Sequence, residues 1–508
     1  MMQNLKSLYN SLILNDEVFF EQFSEKILLF SYGCPDSIWD LETIAFNIDS
    51  SKLSTPIIFI DTCCAIDVQE NVSKEVVRQI SLLYPNHEIF ITGCGVNYDR
   101  EFYSGFGRIF SNQEKFNVVN YDLPLKISSL DKANPHFNGF IKISDGCDYN
   151  CSYCIIKEVR PRHTFSYLEI SKQIKDCLSV GQTQICLFGT EISNYSADGL
   201  TLLTLIKKLL MDFPDLTQIK LDSINPGYKD IFELIDLIKS EDKLAKEIDL
   251  SVQSFSNRIL SLMHRPYSKQ RLFAICDAAQ GLSIQAQLII GFPSETEDDF
   301  NETLQAISIL NIERITTCPF SLRKWTSIYP LDTVPLSIKY EREQVLINAC
   351  TSKHGFLEAE TLSFFNSFKP RVKSPFVCNL CDDSQFFQLW QTLSQGNQLV
   401  ILADFNNTEL LKFDIRIRLL FLVFEIPVIV RFIIDDFSIS LNFEKFMTMK
   451  LAAFVTFDFQ TLSVPVETVI SFLAQNKKCN FDEEAVSKLI VSNPHYLKSL
   501  PNYLLEDL

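Results

Sequence analysis

The stretch "GCDYNCSYC" at residues 146–154 sets Cys147, Cys151 and Cys154 at intervals of three and two intervening residues, with Tyr153 before the last. Zinc asks for four Cys or His ligands, often as two separated pairs, and no histidine follows this trio until His163. Iron–sulfur clusters take closely spaced thiolates. A four-iron cube with three protein ligands keeps one iron open, and an open iron can hold a reacting molecule. Further cysteines close other short runs: Cys34 in "KILLFSYGC", Cys63 and Cys64 in "TPIIFIDTCC", and Cys94 in "EIFITGC". The N-terminal "MMQNLKSLYNSLILNDEVFFEQF" has no apolar core followed by a small-residue cleavage site. The run "LLFLVFEIPVIVRFII" is interrupted by Glu425, Pro427 and Arg431 and is too short for a bilayer. A cytoplasmic protein with no membrane partner is expected. Thiols stay reduced there, so clustered cysteines read as metal ligands before disulfides.

The elements that must position these thiols follow from periodicity. From about Phe137, β-rich runs "FIKIS", "QICLF", "QIKLD", "IDLSV", "AQLIIG" and "RITTCPF" alternate with amphipathic segments such as "SYLEISKQIKDCL" and "EDDFNETLQAISIL". Such alternation predicts βα units on a parallel sheet. Six strands predict a partial (β/α)6 barrel rather than the full eight. The 146–154 stretch directly follows the first of these strands, so it lies at the carboxyl mouth where barrels place their chemistry. The first 125 residues repeat the beat. Parallel strands ending at Cys34, Cys63–Cys64 and Cys94 would gather a second trio at one sheet edge. After about residue 370 the beat is expected to stop. The fold class is therefore α/β, in three parts: an N-terminal parallel α/β domain over 1–130, the barrel over 131–365, and a mixed domain over 371–508.

The residues at 147–154 resemble the radical S-adenosylmethionine (SAM) signature. In that superfamily the open iron chelates the amino and carboxylate groups of SAM, and electron transfer generates a 5′-deoxyadenosyl radical that takes hydrogen from an inert C–H bond. "SYGC", "DTCC" and "TGC" resemble the three cysteine sites of the methylthiotransferase N-terminal domain, which bind an auxiliary 4Fe–4S cluster that delivers sulfur. "LSVQSFSNRILSLMHRPYS", "LIIGFPSETEDDFNETL", "LFGTEIS" and "PFSLRKWT" resemble that family's barrel segments. The match covers roughly residues 26–330.

The resemblance implies an enzyme that inserts sulfur at an unactivated C–H carbon and methylates it, with SAM and two 4Fe–4S clusters. Cys147, Cys151 and Cys154 would carry the catalytic cluster, and Cys34, Cys63 and Cys94 the auxiliary one. Gly189, Thr190 and Glu191 would face the SAM amino group, Gln253 and Ser254 its ribose or carboxylate, and Gly291-Phe292-Pro293 its adenine, with Tyr153 also at the cofactor. Arg160 and Arg162 read either as grips for a phosphate or carboxylate or as exposed loop arginines. The expected substrate is a modified adenosine beside the tRNA anticodon. The alternatives are an aspartyl side chain of a small-subunit ribosomal protein, or a non-catalytic cluster-binding scaffold. An electron donor such as flavodoxin or ferredoxin is implied.

Three departures bear on the substrate. The second site reads Asp61-Thr62-Cys63 where the family has Asn-Thr-Cys, and Cys64 stands beside it as a second candidate ligand. Lys157 replaces a proline common after the radical-SAM cysteines. The family's small basic C-terminal β-barrel is not evident; residues 371–508 hold 12 Lys and Arg against 16 Asp and Glu. The net charge of −17 suits a basic protein partner better than phosphates. "CNLC" at Cys378–Cys381 is a single pair and weak as a metal motif. Cys177, Cys186, Cys276, Cys318, Cys350 and Cys479 read as buried small hydrophobes.

Overall fold

The computed structural model describes residues 19–31, 34–115, 123–124, 139–331, 334–354, 376–378, 380–394, 401–405, 410–424, 428–434, 455–462 and 480–481. The chain divides into two compact units: Glu21–Ser73 with Asn86–Phe356, and Met1–Phe20 and Lys74–Pro85 with Leu357–Leu508.

The first unit opens on a sheet ordered β1 (Phe19–Ser24), β2 (Ile27–Ser31), β3 (Ile57–Thr62), β4 (Glu88–Gly93), β5 (Arg108–Ile109), with β2 to β5 parallel. All six residues of β3 are buried, as expected of a strand covered on both faces. Helix Pro35–Phe46 starts directly after β2. Pro35 occupies its first turn, where a missing N–H costs nothing, and Cys34 is its N-cap.

The barrel uses β6 (Phe140–Asp145), a short antiparallel β7 (His163–Thr164), β8 (Gln184–Gly189), the hairpin β9 (Ser196–Ala197) and β10 (Leu200–Thr201), β11 (Gln218–Leu221), β12 (Glu247–Gln253), β13 (Ser283–Ile290) and β14 (Arg314–Pro319). Parallel pairing runs β6–β8–β11 and β12–β13–β14. Parallel bridges Ile219–Leu244 and Ile224–Leu250 join the two sheets. Six parallel strands thus curve in sequence order, and the apolar runs read from the sequence fall on them. Helices Tyr167–Ser179, Leu202–Asp212 and Glu297–Ile309 begin at capping boxes led by Ser166, Thr201 and Thr296. Their apolar faces, including Ile170, Ile174, Leu205, Leu209 and Phe300, join Ile141, Ile143, Leu187, Leu250 and Ile290 in one core.

The second unit corrects one expectation. The βα beat does not stop near residue 370. β15 (Phe376–Cys378), β16 (Ile401–Phe405), β17 (Val428–Ile434), β18 (Val455–Leu462) and β19 (Asn480–Phe481) form a parallel sheet in sequence order. Helices Asp383–Ser394 and Leu410–Phe424 lie between the first three strands in sequence. The interrupted apolar run from Leu419 to Ile434 is the end of a helix followed by a strand, which blurred the period. No described helix is long and apolar enough to cross a membrane.

Candidate active site

The N-terminal trio sits at the carboxyl edge of β2, β3 and β4. Gly93, at φ +101°, turns the chain from β4 into helix Cys94–Tyr98. A Cβ there would stand 2.4 Å from the Thr62 carbonyl oxygen, so only glycine fits. Thr62 clamps the turn: its Oγ1 donates to the Thr92 carbonyl at 2.6 Å and accepts from Val96 N at 3.1 Å. Cys63, Cys34 and Cys94 are close enough for a charge on one to disfavour a charge on another. Burial pushes the Cys34 thiol up to about 12, with Asp36 adding to it. Burial likewise raises Cys63, Cys64 and Cys94. The Cys63 and Cys64 side chains differ in surroundings. Cys63 Sγ is half-buried and accepts from Ala65 N at 3.4 Å, whereas Cys64 is fully buried, its thiol donating to the Cys94 carbonyl at 3.3 Å. Cys63 Sγ, which also donates to Gln69 Oε1 at 3.3 Å, is the more open of the two sulfurs.

The second trio lies on the loop after β6. Cys147 Sγ accepts from Tyr149 N at 3.4 Å. Burial pushes Cys147 up to about 11 and Cys154 up to about 12, with neighbouring cysteines contributing. Arg265 Nη1 donates to Cys151 Sγ at 3.3 Å. The same guanidinium donates through Nε to Tyr267 Oη at 2.7 Å and through Nη2 to the Ser251 carbonyl at 2.6 Å. Tyr153 packs beside Phe292, ring centroids 6.3 Å apart, against a cluster of Ile259, Met263, Phe320 and Ile328. Beyond Cys154, Ile155 and Val159 share an apolar cluster with Cys64 and Cys94. The two trios therefore belong to neighbouring loops of one unit. Among the described residues no three Cys, His, Asp or Glu converge on a single ion. A cube differs, since each thiolate takes its own iron.

Residues 141–307 match the radical SAM superfamily model. A Chlamydia pneumoniae protein named threonylcarbamoyladenosine tRNA methylthiotransferase MtaB is 30% identical over 315 residues, spanning 58% of this chain and 73% of that protein. The chain belongs to the radical-SAM methylthiotransferase family. A Rickettsia prowazekii protein of the same name is 27% identical, covering 62% of this chain and 80% of its own. A Citrifermentans bemidjiense ribosomal protein uS12 methylthiotransferase RimO is 27% identical, covering 64% and 82%.

As a radical-SAM methylthiotransferase the enzyme uses a 4Fe–4S cluster and SAM. The residues at the mouth fit both. The 147–154 loop offers three thiols, and two N–H donors point at its sulfurs. Glu191 is buried, its carboxylate accepting from Ser193 N at 2.8 Å and from Asn225 Nδ2 at 3.4 Å, which presents a fixed acceptor for an ammonium. Gly189 closes β8 where a Cβ would meet the Ser144 carbonyl at 2.3 Å. Thr190 Oγ1 accepts from Gly146 N at 3.2 Å and donates toward Asp36 at 3.3 Å. Gln253 ends β12 at φ +70°, a conformation rare outside glycine, next to a break in strand register. Gly291 is also left-handed, at φ +72°, and the Lys339 stem fills the place of its Cβ.

Two sequence-level readings change. Ser254 is buried, sharing a 3.4 Å hydrogen bond with Thr303 Oγ1 and accepting from Ser256 N at 3.1 Å, so it shapes the turn rather than facing the mouth. Arg160 is no exposed grip. It is 3% exposed and pairs with Asp40 and Asp145. Arg162 ties the loop to the end of β8, donating to the carbonyls of Gly146 at 3.2 Å, Glu191 at 3.1 Å and Asn194 at 2.9 Å. Asp40 also takes Lys115 and Lys142, and Lys142 reaches Asp36 at 3.0 Å. Burial draws the Lys142 ammonium down, but Asp145, Asp36 and Asp40 more than reverse it. This buried network stands two residues after Cys34 and two before Cys147 in sequence. Sequence reading missed it, and missed Arg265, because their partners lie far away along the chain. Cys177, Cys276 and Cys350 are buried as expected, while Cys186 and Cys318 are only partly so. Cys479 and the Cys378 side chain lie outside the described residues.

Proposed function

We propose that the enzyme converts a C–H bond of a modified adenosine beside the tRNA anticodon into C–S–CH3, with Cys147, Cys151 and Cys154 holding the SAM-binding cluster and Cys34, Cys63 and Cys94 a second cluster. The observation that carries the pairing is the shared apolar cluster of Cys64, Cys94, Ile155 and Val159, which makes the two cysteine loops neighbours. The proposed domains are 1–130, 131–365 and 371–508; most of the first two share one compact unit, and Met1–Phe20 and Lys74–Pro85 fall in the other. When bound, the cluster and SAM supply one-electron chemistry that activates a C–H bond. The chain's own residues do the rest. Arg265 holds a guanidinium on Cys151 and orients the loop. Tyr153, Phe292 and Phe320 line one side with apolar surface and keep water away. Glu191, fixed by Ser193 and Asn225, accepts the SAM ammonium. Gln253 and Gly291 bound the rest of the cofactor.

Support for tRNA comes from relatives at 27–30% identity whose names specify a tRNA adenosine. The net charge of −17 favours a second reading, a basic ribosomal protein, as the RimO relative's name specifies. Mass spectrometry of tRNA nucleosides and of small-subunit ribosomal proteins separates them in a strain lacking the gene. Loss of a methylthio group from a tRNA adenosine is expected. Unchanged tRNA with loss from a ribosomal protein would overturn the substrate assignment.

A further inference from the structure

The loop after β14 presents a tryptophan in an unusual state. Trp325 is 56% exposed and sits at φ +69°, a left-handed conformation that a bulky side chain adopts only under constraint. Both constraints are visible. On one side Tyr98 Oη accepts from Lys324 N at 3.2 Å, and Tyr98 ends the helix begun by Cys94. On the other, the Ser152 carbonyl, between Cys151 and Tyr153, accepts from Ile328 N at 3.1 Å and from Ser327 Oγ at 3.3 Å. Arg323, buried below, pairs with Asp67 and Glu70 and lies 5.8 Å from the Tyr98 ring centre. The turn is thus pinned to the loops of both cysteine trios. Tyr98 meets the indole edge-to-face, with centroids 5.4 Å apart and planes at 69°. That contact leaves indole surface open. Lys324 beside it and Lys157, on the short helix whose Ile156 packs with Tyr98, are exposed and form no ion pair among the described residues.

Resting on the tRNA reading above, we propose that Trp325, backed by Tyr98, is a stacking platform for a base of the RNA substrate, with Lys324 and Lys157 meeting its phosphates. A flat π surface with an exposed lysine beside it, and a second on the neighbouring helix held by Asn150, is complementary to a base and its backbone. Its ties to both trios put it where a substrate must lie to be reached from either.

Binding of a labelled tRNA anticodon stem-loop to the full-length, iron-loaded protein tests this. Glycine adopts φ +69° without strain, so Trp325→Gly removes the ring without forcing the turn. It should weaken binding about five- to hundredfold, and Trp325→Tyr should restore most of it at equal iron content. Of the three tryptophans, Trp39 and Trp390 are buried, so acrylamide quenching reads Trp325, and the RNA should shield it in the unsubstituted protein. Lys324→Gln should flatten the salt dependence of binding by about one phosphate contact. Equal binding by Trp325→Gly, or RNA binding that leaves Trp325 open to acrylamide, would overturn the platform and leave the tRNA reading standing. No RNA binding, with a basic ribosomal-protein peptide shielding Trp325 instead, would overturn both.

Discussion

At the scale of single residues, the site's character is set by groups that sequence spacing does not reveal. Arg265 is 114 positions from Cys151, yet its guanidinium lies on that sulfur. Arg265→Met removes a hydrogen bond from a charged donor, so SAM cleavage should fall at least about tenfold. Iron per chain should hold, because all three thiols remain. Undiminished 5′-deoxyadenosine formation by the variant would remove Arg265 from the site. Asp222, just after β11, shows the cost of a carboxylate partly withdrawn from water. Burial, with Asp36 and Asp249 nearby, pushes it from 3.8 up to about 6. The unfolded chain ionises near 3.8 and the folded chain near 6, so the penalty is absent below pH 4, grows between, and is complete above pH 6. Asp222→Asn, which keeps an acceptor for the 2.8 Å bond from Ser223 N, should stabilise the fold by about 1–3 kcal/mol at pH 7.5 and by almost nothing at pH 4. Thermal melts at the two pH values compare these directly, and an equal gain at both would mean that ionisation is not the cause.

At the scale of elements, helix Pro35–Phe46 does two jobs: its N-cap is Cys34, and its first turns carry Asp36 and Asp40 into the ion network with Lys115, Lys142, Asp145 and Arg160. Asp40→Ala would take away the carboxylate that pairs with the buried Lys115 ammonium and one of several around Lys142 and Arg160, which keep Asp36 and Asp145, a loss of about 3–5 kcal/mol, and should leave little soluble protein. Asp40→Asn should fold with a lower melting temperature. Asp40 and Asp145 are both held below the ordinary carboxylate range, since Lys and Arg neighbours outweigh the opposing effect of burial. Their contribution is therefore present above about pH 4 and lost as pH falls further. An Asp40→Ala protein as stable as the unsubstituted one would show the network to be dispensable. Elements also mark the limits of sequence reading. β3 was legible because a strand covered on both faces reads as an unbroken apolar run, and the six barrel strands because short β-rich runs, alternating in burial along β12 and β13, recur between amphipathic segments. The network was not legible, because a charged residue on an amphipathic helix reads as solvated until a partner domain covers it. The parallel strands beyond residue 376 were not legible either. The run from Leu419 to Ile434 crosses from helix to strand with little punctuation besides Pro427, and neither period survives in it.

At the scale of the whole molecule, the question is how one chain keeps two groups of thiols distinct. Each unit has its own architecture, and both trios fall in the unit formed by Glu21–Ser73 with Asn86–Phe356. Their supports differ. Cys34, Cys63 and Cys94 hang from the ends of β2, β3 and β4, with Gly93 and Thr62 fixing the last turn. Cys147, Cys151 and Cys154 lie on one loop held by Arg162, Arg265 and Ser152. No cysteine is shared, so one trio can be emptied while the other keeps its shape. Replacing Cys34, Cys63 and Cys94 together with Ala removes three partly or fully buried sulfurs whose hydrogen bonds, to Gln69, Asn112 and the Ala65 N–H, are the weak ones of thiols. The cost in stability should be modest, and Cys64, its thiol turned to the Cys94 carbonyl, is poorly placed to substitute. If the second trio holds its own cube, iron should fall from about eight to about four per chain. SAM should still be cleaved when the variant is reduced, and methylthiolation of tRNA should stop. Iron analysis, 5′-deoxyadenosine release and nucleoside mass spectrometry on one preparation give all three readings. Iron unchanged at about four in both proteins would mean a single cluster, and the sulfur would then have to reach the substrate by a route that does not use Cys34, Cys63 and Cys94.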